Sequence, residues 1–295
     1  MKKKKFIFLN IFLVIVAMTS FFLWRKEARR ETVLGLDKYT NQAVVCGFND
    51  EKERIERFFS LKENFKKNDQ AIQVGIISHH LPDAFPIISE FWKNVYTSSG
   101  PRKTFFVLGP DHFENCNALF ATSGLDFETP FGVLRVNKEI RNLLAEKGVE
   151  VNNTCFQGEH SIGVQILFIK YLYPQAEIVP IIFSSSASGD ITKNIVDFIS
   201  SYKDEATVIL SVDFSHFNSF EEAQKIDGQT LEMIKGGVDR NYKLKMVDSP
   251  GSLETVMGLA KKWGTQEFVE FKLGNSFEFS GNKDSTVGYI SGYFK

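Results

Sequence analysis

The strongest constraint on the fold is an alternation between two kinds of segment. Residues 73–78, 104–108, 177–183 and 207–212 are short runs of β-branched, aromatic and other apolar side chains, almost unbroken by charge. Strands of that kind lie buried on both faces of a parallel sheet, whereas strands with one wet face alternate apolar with polar. Between them, residues 84–97, 138–147, 161–171 and 190–202 carry the 3.6-residue apolar spacing of amphipathic helices. This pattern predicts an α/β fold in one domain, with a mostly parallel central sheet flanked by helices. Two further helices are expected at 221–235 and 252–263, and a last strand at 286–294.

Composition narrows the function classes. A formal net charge of -1 leaves no field that would draw the chain to nucleic acid. The 29 phenylalanines fall within apolar runs rather than among basic residues, so they read as core and not as base-stacking platforms.

The beginning of the chain departs from ordinary globular character. Lys2 to Lys5 precede an uncharged apolar run from Phe6 to Trp24, closed by Arg25 and Lys26. That length suits a helix crossing a bilayer, which needs roughly 20 residues, and exceeds the roughly 7–15 apolar residues of a cleaved signal. No small-x-small cleavage site precedes Trp24. Residues 1–26 are therefore expected to be a single-pass membrane anchor or uncleaved signal, 27–43 a polar tether, and 44–295 the folded domain, facing away from the cytoplasm. Beyond 44 no low-complexity linker or repeat marks a second boundary.

Three cysteines, Cys46, Cys116 and Cys155, lack the paired spacing of a zinc ribbon or a redox motif. Each is expected to be a small buried apolar residue, with one bridge open to the chain if the domain meets an oxidising compartment.

The five histidines carry the chemistry. His79 and His80 follow the strand at 73–78, His112 follows the strand at 104–108, His216 follows the strand at 207–212, and His160 precedes the helix at 161–171. Ligands of open α/β sheets bind outside the carboxyl ends of the strands, so these loops should share one crevice. Imidazoles and carboxylates gathered there suit a divalent metal with open positions. His79 and His112 are the first candidates for ligands, followed by His216, with Asp213 as ligand support or turn residue. Adjacent side chains in extended backbone point opposite ways, so only one of His79 and His80 can face the crevice. His160 is a further candidate. Glu159 reads mainly as part of a helix start, with Ser161 as the cap. No phosphate loop, dinucleotide fingerprint or nucleophile elbow is present.

These segments resemble the Memo family, whose bacterial members are called AmmeMemoRadiSam system protein B. The resemblance rests on Cys46-Gly47-Phe48, Ile77-Ser78-His79-His80, Leu108-Gly109-Pro110-Asp111-His112, Thr129-Pro130-Phe131-Gly132, Glu159-His160-Ser161-Ile162 and Ser211-Val212-Asp213-Phe214-Ser215-His216, in that order. It implies a fold similar to class III extradiol dioxygenases and a site that binds iron or copper rather than zinc. The metal positions it implies are His79 and His112, with Asp213 and His216 lining the pocket. His160 matches the Glu-His-Ser motif. By family association it also implies a radical-SAM enzyme and an AMMECR1-type protein as partners.

The chain departs from the family pattern twice. The late cysteine of members with a full metal site is replaced by the stretch Val247-Asp248-Ser249-Pro250-Gly251-Ser252, so Asp248 either supplies oxygen in its place or the third ligand is lost and no metal is held. Gly163 stands where the family usually has an acidic residue. Two functions follow. One is a membrane-anchored, metal-dependent oxidoreductase with Asp213, His216 and His160 as catalytic residues and His79, His112, His216 and Asp248 as metal ligands. The other is a non-catalytic binding module that holds a peptide or small ligand in the inherited crevice and works with a radical-SAM system.

Overall fold

A computed structural model describes residues 43–236 and 246–295. The expected anchor and nearly all of the tether lie outside the described residues. Among the described residues no helix is long and apolar enough to cross a membrane.

The strands in chain order are β1 (Val44–Val45), β2 (Val74–Ile77), β3 (Thr104–Pro110), β4 (Phe120–Thr122), β5 (Phe127–Thr129), β6 (Gly132–Val136), β7 (Glu150–Val151), β8 (Glu177–Phe183), β9 (Ala206–Ser211), β10 (His216–Asn218), β11 (Phe268–Asn275) and β12 (Thr286–Phe294). They form one twelve-stranded sheet with the order β1-β5-β6-β8-β3-β9-β2-β12-β10. The run β6-β8-β3-β9-β2 is parallel throughout. Both margins are antiparallel: β12 pairs β2, β11 and β10 on one side, and β5 pairs β6 on the other. The sheet is thus mixed rather than mostly parallel. Its parallel centre is the part made of unbroken apolar runs. The antiparallel margin includes β11, whose middle residues alternate between half-buried and exposed, a pattern the search for unbroken runs passes over.

The helices are α1 (Lys52–Phe58), α2 (Phe85–Thr97), α3 (Lys138–Glu146), α4 (His160–Leu172), α5 (Lys193–Ser200), α6 (Phe220–Gly236), α7 (Pro250–Trp263) and the single turn α8 (Phe277–Ser280). Successive strand residues face opposite sides of the sheet, and the core divides accordingly. Phe105 and Val107 pack with Ile88 and Trp92 of α2 and with Ile166 and Phe168 of α4. Phe106 and Leu108 pack with Ile195 and Phe198 of α5 and with Leu253 and Val256 of α7. Helix α4 is apolar nearly all round and buried from Ser161 to Ile169, as a helix enclosed by a large protein must be. The carboxyl ends of β2, β3 and β9 are neighbours, which sets the loops after them side by side.

The cysteine reading needs correction at two positions. Cys116 and Cys155 are joined in a disulfide, with Cα atoms 5.3 Å apart, while Cys46 is free and buried. Spacing could not reveal the pair because the fold, not the chain, brings the loop before β4 against the short helical turn Asn153–Phe156.

Candidate metal centre

The site is built from the loops after β2, β3 and β9, the start of α4 and the segment before α7. Its floor is Gln165, a fully buried amide. Gln165 Nε2 donates to the Ser78 carbonyl and to Ser211 Oγ, each at 2.9 Å, while its Oε1 accepts from Trp92 Nε1 at 3.0 Å. A buried amide with its bonds made ties α2 and α4 to the ends of β2 and β9.

His79 lies at the end of β2 and is buried. Its tautomer follows from its neighbour. Ser211 has one hydroxyl proton and donates it to the Ser161 carbonyl at 2.6 Å, so the 3.3 Å contact between Ser211 Oγ and His79 Nδ1 requires the proton on Nδ1. His79 Nε2 then faces Asp213 Oδ2 at 3.4 Å and Asp248 Oδ2 at 3.3 Å. A ring nitrogen facing two carboxylates carries either a proton or a metal ion.

His112 repeats the arrangement. Its Nδ1 donates to Glu159 Oε1 at 2.8 Å and its backbone N–H to Glu159 Oε2 at 3.0 Å, which leaves Nε2 facing Asp248 Oδ2 at 3.6 Å. A carboxylate behind an imidazole is the usual device that orients a metal-binding histidine. Gly109 makes the approach possible, since a Cβ there would sit 2.7 Å from Ser161 Oγ and push β3 away from α4. Glu159, not Ser161, is the N-cap of α4 and accepts from Ser161 N at 2.8 Å. A carboxylate reaches the free N–H groups of the first turn as well as a hydroxyl does, and here it also serves His112.

Asp248 is held by the turn opposite. Its Oδ2 accepts from Asp213 N at 2.9 Å, and its own N–H donates to the Asp213 carbonyl at 3.1 Å. Asp213 is fixed in turn by Ser78 Oγ at 2.5 Å and His79 N at 3.3 Å. Asp248 Oδ1 and His79 Nε2 are buried and make no hydrogen bond.

His160 stacks on His112 with ring centroids 4.2 Å apart and meets the His79 ring at 5.1 Å, edge to face. Two groups of donor atoms therefore lie within 4.8 Å of one another, His79-His112-His160 and His79-Asp213-Asp248, sharing His79. His216 is in neither group. The chain turns away after Asp213 into β10, which pairs β12, and the His216 ring closes on the Phe214 carbonyl at 2.7 Å. His80 also points away and meets Tyr289 Oη at 2.5 Å.

Electrostatics agree with the geometry. Burial opposes charge on His79, but Asp213 and Asp248 outweigh it and hold the imidazole above its ordinary pKa. Burial likewise opposes charge on His112, yet the Asp248 and Glu159 carboxylates push it up to about 10. Asp248, despite its burial, is held well below the usual carboxylate range by His112 and His79. His160 is lowered to about 4, by burial first and then by the charges on His79 and His112, so it stands as a neutral base beside them.

The donor set fits a metal ion. His79 Nε2 and His112 Nε2 lie 3.3 and 3.6 Å from the same oxygen, Asp248 Oδ2. Those separations suit ligands around one ion, because two donors each ~2.1 Å from a metal and ~90–120° apart are themselves ~3.0–3.6 Å apart. The buried His79 Nε2 and Asp248 Oδ1 make no hydrogen bond and are free to face an ion.

A sequence profile of Memo-like proteins matches residues 48–293. The chain belongs to the Memo-like family. A MEMO1 family protein of Methanobrevibacter smithii is 29% identical over 248 residues, covering 79% of this chain and 86% of the relative. Another, from Methanosarcina mazei, is 28% identical over 208 residues, covering 67% and 78%. One from Sulfolobus acidocaldarius is 30% identical over 204 residues, covering 65% and 72%. In this Memo-like chain the space beside Gly163 is taken by Phe48, whose ring lies 3.2 Å from where a Cβ would stand, so no acidic side chain fits there unless Phe48 moves.

The position of the histidines after the expected strands sufficed to bring His79 together with His112 and with Asp213. His160 and Asp248, also expected at the site, are found there, whereas His216 is not. One feature was out of reach: Gln165 sits within an apolar helical run. The one signal for Gln165 was an uncharged polar residue in the middle of a wholly apolar helix, which when buried must have partners.

Proposed function

We propose that this Memo-like chain binds ferrous iron through His79, His112 and Asp248 and works as a metal-dependent oxidoreductase. The observation that carries the reading is the convergence of His79 Nε2 and His112 Nε2 on Asp248 Oδ2, with His79 Nε2 and Asp248 Oδ1 buried and without a hydrogen bond. Two imidazoles and one carboxylate with open positions are the donor set of non-haem iron(II) sites. An oxygen donor in place of a thiolate also moves preference away from copper(I) and zinc, which favour sulfur. When bound, such an ion supplies a redox-active Lewis acid.

The chain's own groups have separate tasks. Glu159 and Ser211 hold the two ligand rings by their Nδ1 protons. Asp213 orients Asp248 through its backbone and faces His79 with its side chain. His160, neutral and part-exposed, is the group able to accept a proton from a substrate in the pocket. His216 has no task in this reading.

Anaerobic titration of the purified chain with ferrous iron, followed by elemental analysis, tests the proposal. About one equivalent is expected, falling below a tenth in His79→Ala, His112→Ala and Asp248→Ala. Uptake below half an equivalent of iron, copper or zinc, with His79→Ala no different, defeats it.

We further propose that residues 1–26 anchor the domain in a membrane with the site on the extracytoplasmic side. The support is the uncharged run from Phe6 to Trp24 and the disulfide, a bond that persists in oxidising compartments. Resistance of the protein to alkaline carbonate extraction is expected, and release of intact chain into the supernatant refutes it.

A further inference from the structure

His112 and its partner Glu159 belong to segments 47 residues apart in the chain. The loop that carries His112 has little to hold it. From His112 to Leu119 no side chain is buried, and Phe113, Glu114, Asn115, Asn117 and Leu119 are exposed. Its first turn is pinned by Asp111, whose carboxylate accepts from Asn115 N at 3.1 Å and Cys116 N at 2.9 Å. Toward the start of α4 and the turn before it, the loop has the two Glu159 bonds, the ring contacts of His112 and Phe113 with His160, and the disulfide. The disulfide runs from Cys116, four residues after His112, to Cys155, four residues before Glu159. It therefore bridges the segment bearing one ligand and the segment bearing its orienting carboxylate and His160.

We propose that Cys116–Cys155 is a redox-controlled clamp on the metal centre, and that a dithiol reductant opens it and weakens metal binding. The inference rests on the metal reading above. Cys155 is fully buried and Cys116 is part-exposed, so attack falls on Cys116 Sγ. A thiolate of the dithiol bonds to that sulfur, and Cys155 leaves as thiolate and takes up a proton. The second thiol of the dithiol then attacks the mixed disulfide, closing its own ring and releasing Cys116 as a thiol. Two electrons and two protons pass from the dithiol to the protein. Opening leaves a mostly exposed loop held only by hydrogen bonds and by the contacts of His112 and Phe113 with the His160 ring, so the His112 ring samples orientations in which Nε2 no longer faces Asp248 and His79. Cys46 takes no part, since burial pushes its thiol up to about 12 and keeps it unreactive.

The test uses the full chain and cobalt(II), a probe that does not itself oxidise thiols under anaerobic conditions. Thiols are counted after denaturation, and cobalt affinity is measured before reduction, after reduction and removal of the dithiol, and after reoxidation. The expected result is one thiol and tight binding, then three thiols and binding weaker on the order of 10-fold, then recovery of both. A Cys116→Ala/Cys155→Ala variant should match the reduced protein and ignore the dithiol. If that variant loses its far-ultraviolet circular dichroism, the reversible cycle on the unmodified chain decides. Equal affinity with one and with three thiols overturns the clamp, as do three thiols in protein prepared from an oxidising compartment. Failure of the oxidised protein to bind cobalt, with His79→Ala no different, overturns the metal reading and the clamp with it; cobalt binding lost in His79→Ala but indifferent to reduction overturns the clamp alone.

Discussion

At the scale of single residues, the centre is a competition between protons and a metal for two imidazole nitrogens. His112 is raised to about 10, and His79 is raised as well, because each faces carboxylates. At neutral pH the metal must displace those protons. Affinity should therefore rise with pH from 7 to 9, by up to about tenfold per unit for each proton released. Isothermal titration in buffers of different ionisation heat counts the protons directly, and a flat profile would contradict the assignment. Asp248 sets the choice of metal. Asp248→Cys replaces a hard oxygen donor with a thiolate and is expected to shift preference from iron toward zinc or copper(I) by an order of magnitude or more, read by competition between the ions.

Elements hold these residues through their ends. The start of α4 is capped by Glu159, which also orients His112. Glu159→Ala should lower stability by about 1 kcal/mol for the lost cap and weaken metal binding roughly 10–100-fold for the lost orientation. Glu159→Gln, which keeps an acceptor oxygen, should recover most of the stability in thermal melts and only part of the affinity. The turn after β9 depends on α6 instead. Buried Asp227 accepts from Ser215 N at 3.0 Å and Ser215 Oγ at 2.8 Å, which braces the segment leaving Asp213. Burial raises Asp227 from 3.8 to about 6, although the Ser215 bonds pull the other way. Because the folded value exceeds the unfolded one, its stabilisation is complete below the unfolded pKa and is lost as pH rises through about 6. The loss approaches about 3 kcal/mol at neutral pH, and Asp227→Asn should remove that slope from denaturant midpoints measured between pH 4 and 7.

The strands that the apolar pattern announced are β2, β3, β8 and β9 of the parallel centre, together with β12 beside it. The expected strands at 177–183 and 286–294 coincide with β8 and β12, and the expected helix at 138–147 is α3 with one residue less. What the pattern missed was short or half-wet. Strands β4, β5 and β7 have two or three residues each, and β10 is a three-residue strand with an irregular register against β12. Segments that short carry no period, and their pairing is decided by partners remote in the chain.

For the molecule as a whole, the described domain combines a large core on both faces of the sheet with one covalent link at the site. A bridge spanning a sequence separation of 39 residues is expected to contribute about 4 kcal/mol through the entropy it removes from the unfolded chain. Reduced and oxidised protein should differ by that order in denaturant melts. A difference under about 1 kcal/mol would show that the unfolded chain is already restricted there.

The sequence by itself determined the class of fold, the crevice at the strand ends and two of its histidines. Those follow from local causes, since unbroken apolar runs must be buried and the loop after a parallel strand must emerge at its carboxyl end. Tertiary structure alone decided that His216 leaves the cluster while His160 stacks on His112, that Asp248 faces both His79 and His112, and that Cys116 meets Cys155. Each of these is a meeting of side chains far apart in the chain, fixed by sheet order and loop path, and no local pattern of residue types records such a distance.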